Sequence, residues 1–227
     1  MIVTQKKQFE EILKFLGPRK KVFIIGCGDC ATTCKTGGEE EILRMKKSLE
    51  EKGEVVTGYC IPDSPCIASQ VKLHFAKNKK AVDEAEVFLV LACGLGVQSV
   101  LENDPSCLRR AEADRAKRPV YAGCDTMFGS ILDKTGLEFS ERCAMCGECV
   151  LNITGGICPV TRCAKGLLNG PCGGSDKGKC EVDKDKDCAW ILIYNRLKEL
   201  NMLENMKETR PAKDYSKNTK PRKITIK

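Results

Sequence analysis

The sequence is poor in the residues that most enzymes and nucleic-acid binders use. Its 227 residues include one histidine, one tryptophan, four tyrosines and seven phenylalanines. A single histidine, His74 in VKLHFAKNK, excludes a histidine-rich catalytic metal site, and its setting reads as a helix position rather than a ligand. No G-x-S-x-G, H-E-x-x-H or P-loop pattern occurs, which removes the common hydrolase, zinc-protease and nucleotide-phosphate arrangements. No apolar window approaches the roughly eighteen residues of a membrane-spanning helix. The segment MIVTQKKQFEEILKFLGPRKK is charged and amphipathic, without an apolar export region or a small-residue cleavage site, so a reducing cytoplasm is expected. The net charge of +7 does not point to nucleic acid, because 31 acidic residues are interspersed among 38 basic ones and few aromatics are available for stacking.

Cysteine is what the chain has in excess, with 16 residues. In a reducing compartment such a set serves as ligands to zinc or iron-sulfur clusters rather than as disulfides. Bound metal also alters the charge balance. A four-iron cluster with four thiolates carries about two negative charges, so two or three would offset much of the positive excess.

The cysteines fall into two populations. Residues 1–140 carry eight, at Cys27, Cys30, Cys34, Cys60, Cys66, Cys93, Cys107 and Cys124. The other eight are Cys143, Cys146, Cys149, Cys158, Cys163, Cys172, Cys180 and Cys188, within a glycine-rich stretch that has few large apolar side chains. The expected organisation is an α/β cluster-binding domain over 1–140, a small cysteine-rich domain with a terminal helix over 141–206, and a basic tail over 207–227. The small domain cannot bury enough apolar area to offset its conformational entropy, so it is expected to be supported by metal. The lysine-rich tail reads as mobile or as docking on a partner.

In the first domain, Phe9, Ile12, Leu13 and Leu16 follow helical spacing and Gly17-Pro18 ends the helix. Val22 to Ile25, a run beginning at Val55-Val56, Val87 to Ala92 and Val120 to Ala122 read as strands. Glu39 to Lys52 reads as a charged helix with Ile42, Met45 and Leu49 on one face. Apolar strands alternating with helices predict a parallel, doubly wound sheet. Beyond Cys188, Trp190, Ile193, Tyr194 and Leu197 form an apolar helical stripe.

The loop IGCGDCATTCKTGG follows the first strand. It parses as G-x-G-x-x-A through Gly26, Gly28 and Ala31, but a helix is expected only after Gly38 and the second strand ends without a carboxylate for a ribose. A cysteine site uses the same place better. Cys27, Cys30 and Cys34 follow the first strand, Cys60 the second, Cys93 the third and Cys124 the fourth, which converges thiols on the carboxyl edge of the sheet. Cys27, Cys30, Cys34 and Cys93 are the ligands expected there. Cys107, in an Asp-Pro-Ser context, reads as structural, and the roles of Cys60, Cys66 and Cys124 stay open.

The second constellation opens with C-x2-C-x2-C at Cys143, Cys146 and Cys149, the compact triplet of bacterial ferredoxins. The next cysteine of that run is displaced to Cys158-Pro159, and four more follow. Eight thiolates suffice for two four-iron clusters, or for one cluster and a four-thiolate zinc site. Zinc ribbons supply separated pairs rather than a triplet, so the spacing favours iron.

CGECVLNITGGICPVTRCAKGLLNGPCGG, with GKCEV and CAWILIYNRLKEL after it, closely resembles the cysteine-rich domain associated with methylenetetrahydrofolate reductases. In acetogenic bacteria that domain occurs on a separate small subunit. IGCGDCATTCKTGGE, ACGLGVQ around Cys93 and CDTMFG around Cys124 are similar to the same subunit, so the likeness extends to about Leu203. Cys60 and Cys107 match no motif of it. The resemblance implies that a flavin-containing (β/α)8 catalytic subunit lies on another chain, and that this chain passes electrons to or from that flavin in one-carbon metabolism. It implies two or three 4Fe-4S clusters, with zinc in place of one as an open alternative. The expected partners are the flavin subunit and a further electron-donor subunit or ferredoxin, with no nucleic acid and no membrane span. A competing reading from another class is a zinc-binding structural or interaction module without redox activity.

Overall fold

The computed structural model describes residues 1–105 and 118–225; the Cys107 assignment lies outside them. The chain divides into two compact units, Met1–Phe128 and Gly129–Lys227.

Unit 1 is a mixed α/β fold. Its main sheet holds β2 (Lys21–Ile25), β3 (Val55–Cys60), β4 (Val87–Val90) and β5 (Val120–Ala122), in the order β3-β2-β4-β5 and parallel throughout. β2 and β4 are central, and Val22 to Ile25 and Val87 to Val90 are fully buried, which accounts for their unbroken apolar runs. Alternation along these strands sends side chains to opposite faces. Phe23, Ile25, Phe88 and Val90 pack with Val71 and Phe75 of α4 (Ala68–Lys77), Val82 of α5 (Lys79–Glu84) and Val100 of α6 (Gly94–Glu102). Val22, Ile24, Val87 and Leu89 pack on the other face with Ile12 and Leu16 of α1 (Phe9–Leu16) and with Ile42 and Leu49 of α3 (Glu39–Glu51). Helices therefore cover both faces of the sheet. α3 starts where the Glu41 carboxylate accepts from the Gly38 N–H at 3.2 Å.

Two elements of unit 1 lie outside the expected pattern. A strand, β1 (Ile2–Lys6), precedes α1 and buries Val3 and Thr4; IVTQK is too short and too polar for its period to stand out. A short helix, α2 (Cys30–Thr33), forms inside the loop where no helix was expected before Gly38. β1 neighbours β6 (Cys124–Leu132), a nine-residue strand whose sequence CDTMFGSIL mixes polar and apolar residues without strict alternation.

In unit 2, β6 pairs antiparallel with β7 (Phe139–Cys143), from Leu132 opposite Phe139 to Gly129 opposite Cys143. The rest of the unit is mostly turns, with α7 (Pro159–Arg162) and α8 (Ala189–Glu199). Its apolar centre is Trp190, Ile193 and Leu197 of α8, against which Ile157, Leu167, Leu203, Met206, Cys163 and Cys188 pack. The Trp190 indole donates to the Leu167 carbonyl at 3.1 Å. Tyr194, expected on the apolar stripe, is instead 42% exposed, one turn-position away from the buried face. Among the described residues no helix is long and apolar enough to cross a membrane.

Candidate cysteine centres

The register of the parallel sheet aligns Ile25 with Cys60 and Val90, and Val90 with Ala122, so the four strands end together. The segments carrying Cys27, Cys93 and Cys124 leave from that edge. Tight backbone contacts hold the first loop: Gly26 N–H donates to the Cys60 carbonyl at 2.9 Å, Cys27 N–H to Gly37 O at 3.0 Å, and Thr32 Oγ1 to Cys27 O at 2.7 Å. Gly37 passes so close to β4 that a Cβ there would stand 1.8 Å from the Leu91 carbonyl oxygen. Only glycine fits that approach.

Cys27 is buried, and burial pushes its thiol up; the backbone N–H groups of Ala31 and Asp29 pull it down, and the nearby charges of Cys30 and Cys93 raise it again. Cys30 and Cys93 thus both lie within electrostatic reach of Cys27, whose sulfur has amides directed at it. Cys93 caps α6, and the next N–H, that of Gly94, donates to Thr126 Oγ1 at 2.7 Å. The Cys34 thiol donates to Ile2 O at 3.8 Å, next to the Ile2 backbone that also hydrogen-bonds Cys30, and its charge acts on Cys124.

Of the cysteines with open roles, Cys60 and Cys124 are core residues. Burial holds both thiols up at about 12 from an ordinary 9.0, so they stay protonated at neutral pH. Cys66 is exposed. Brief iodoacetamide treatment of the protein as purified should therefore alkylate Cys66 and leave Cys60 and Cys124 unlabelled, read by peptide mass spectrometry. Equal labelling of Cys60 and Cys66 would contradict these placements.

His74 is half-buried on α4, and burial, with the charge of Lys77, lowers its pKa.

In unit 2 all eight cysteines are free thiols, half-buried or exposed. The triplet loop after β7 turns through Met145 at φ 53° and Gly147 at φ 79°. Met145 N–H donates to Cys143 Sγ at 3.4 Å, and Gly174 N–H to Cys172 Sγ at 3.5 Å. Cys158 and Cys163 bracket α7, and Cys188 caps α8. Cys163 and Cys188 both pack against the Trp190 cluster. Cys172 donates to the Glu181 carboxylate, which also pairs with Lys165, and Cys172 and Cys180 both lie within electrostatic reach of Lys165.

Cys146 is the unit 2 cysteine with a charged nitrogen donor on its sulfur. The Lys213 ammonium donates to its sulfur at 2.7 Å and holds the thiol below its ordinary value, favouring thiolate. Lys213 is also within reach of the charges of Glu148 and Cys158. The tail was expected to be mobile or to sit on a partner; residues 210–222 instead hydrogen-bond to residues of unit 2 itself, at Asn169, Met145, Cys146 and Glu148. Composition could not show this, because Lys213 and Cys146 are 67 positions apart. No local signal marks such a contact.

Among the described residues no three Cys, His, Asp or Glu side chains are grouped so as to hold a single metal ion. The donor chemistry nonetheless fits a thiolate-ligated cluster: unpaired soft sulfur ligands, N–H donors on Cys27, Cys143 and Cys172, and a cation on Cys146.

No curated protein and no solved structure matches the chain. A family model described as "Methylene-tetrahydrofolate reductase C terminal" does match, over residues 121–216, a stretch that includes every cysteine of unit 2. That similarity associates the chain with methylenetetrahydrofolate reductase.

Proposed function

We propose that this chain is the iron-sulfur electron-transfer subunit of a methylenetetrahydrofolate reductase, relaying electrons to or from the flavin of a separate catalytic subunit. The observation that carries the reading is the overlap between the matched segment and the eight-cysteine unit, whose sulfurs are supplied with hydrogen-bond donors. Cys143, Cys146, Cys149, Cys158, Cys163, Cys172, Cys180 and Cys188 would hold metal in unit 2, and Cys27, Cys30, Cys34 and Cys93 in unit 1. Bound four-iron clusters supply reversible one-electron transfer at potentials set by charge, hydrogen bonds to sulfur and exposure.

The chain's own residues do the holding and the tuning. Amides of Asp29, Ala31, Met145 and Gly174 direct positive dipoles at sulfur, and Lys213 adds a full charge. The half-buried and exposed sulfurs of unit 2 leave short paths for electrons to a docked partner. The partners are a flavin-containing reductase subunit and a ferredoxin or further donor subunit, and the location is the cytoplasm.

Two or three clusters would be bound, zinc in place of one being the alternative that metal content decides. Replacing Cys27, Cys30, Cys34 or Cys93 with serine should remove about one cluster's iron, ~4 atoms per chain, and leave the spectrum of the other clusters intact. Unchanged iron content in all four variants would refute the unit 1 assignment.

A further inference from the structure

The C-terminal segment is fastened across the loop that carries the cysteine triplet. Asn169 Nδ2 donates to Arg210 O, and Arg210 N–H donates back to Asn169 Oδ1, both at 3.0 Å. Glu148, between Cys146 and Cys149, is the second anchor: its carboxylate accepts from Asp214 N–H at 2.8 Å and pairs with Lys217 Nζ at 3.5 Å. Arg222 completes the strap by donating to Met145 O at 3.2 Å and Lys217 O at 3.1 Å. The loop accommodates this crossing because position 147 is glycine; a Cβ there would stand 3.0 Å from Lys217 O, on a backbone already at φ +79°. Between the anchors, Lys213 is half-buried and its ammonium bridges Cys146 Sγ and the Glu148 carbonyl, the latter at 2.9 Å.

This is the one lysine-to-sulfur hydrogen bond among the described residues. The other charged side chains that hydrogen-bond a cysteine there, Asp29 at Cys30 and Glu181 at Cys172, are acidic. The difference has a redox consequence. Adding an electron to a sulfur-ligated centre adds negative charge, which a neighbouring ammonium stabilises in proportion to its proximity and its shielding from water. Lys213 has both.

We propose that residues 210–222 form a strap that makes Lys213 a positioning residue for the triplet centre, its charge raising the reduction potential of the cluster bound through Cys146. The proposal rests on the iron-sulfur reading of unit 2 and assigns a task to a tail whose composition reads as mobile or as docking on a partner. Cys146 remains the ligand; Lys213 acts through it.

The test is a redox titration of the anaerobically purified full chain, followed by electron paramagnetic resonance, with iron and sulfide measured in the same samples. Lys213→Met keeps the aliphatic stem and removes the charge, while Lys213→Arg keeps the charge. The methionine variant should show one cluster titrating at a lower potential than in the wild type, with the others unmoved, and the arginine variant should return most of that shift. Should Lys213→Met instead lose part of its iron, recovery of both iron and potential in Lys213→Arg supports the strap, and failure of the arginine variant to recover them overturns it. Wild-type potentials in a fully iron-loaded Lys213→Met protein also overturn it. Absence of iron and sulfide from the wild type would sink the underlying functional reading instead.

Discussion

Stripping metal from the protein by chelation and oxidation is expected to unfold unit 2 and leave unit 1 folded. Ordering a residue costs about 1–2 kcal/mol of backbone entropy, whereas fully burying a large apolar side chain returns about 1.5–3 kcal/mol. Unit 1 has two extensive buried clusters on opposite faces of a sheet to set against that cost. In unit 2 the buried apolar side chains are Pro159 of α7 and Ala189, Trp190, Ile193 and Leu197 of α8. The stretch from Cys143 to Cys188 packs onto α8 through little more than Ile157, Cys163, Leu167 and Cys188. On the proposed reading, metal-thiolate bonds would supply the remaining stability, as in small metal-dependent domains. Limited proteolysis should cut the stripped protein throughout 143–188 and spare the parallel sheet. A segment as resistant after stripping as before would show that α8 and the turns suffice.

The second large effect is on turnover. In the complex with the flavin subunit, Cys143→Ser, Cys146→Ser and Cys149→Ser should each abolish reduction driven by a protein donor. The same complexes should still react with a small dye that reaches the flavin directly. The contrast would arise because removing a thiolate ligand would remove or convert the proposed cluster, whereas the flavin and the folate site would lie on the proposed partner. Full donor-driven activity in the triplet variants would leave this centre a structural role only.

Much of unit 1 was legible in the sequence because its physics is local and repetitive. Val22 to Ile25 and Val87 to Val90 are buried on both faces and therefore read as unbroken apolar runs, and Ile12, Leu16, Ile42 and Leu49 fall at helical spacing because one face of each helix meets the sheet. β1 and β6 were not legible: Ile2–Lys6 is short, and Cys124–Leu132 lacks alternation. The loop cysteines could be placed at one edge because strand ends in a parallel sheet align. What spacing could not reveal was which thiols feel one another, Cys124 the charge of Cys34 and Cys27 those of Cys30 and Cys93. Nor could it reveal Lys213 at Cys146, a contact made by tertiary folding alone.

The central claim, that these thiols hold iron-sulfur clusters, is met most directly by metal and acid-labile sulfide analysis of the chain purified without oxygen, with its absorption and paramagnetic resonance spectra. The account predicts a brown protein with equal iron and sulfide, about eight or twelve of each for two or three four-iron clusters, or about four fewer if one site holds zinc. Stoichiometric zinc with neither iron nor sulfide would contradict it and leave a structural zinc module.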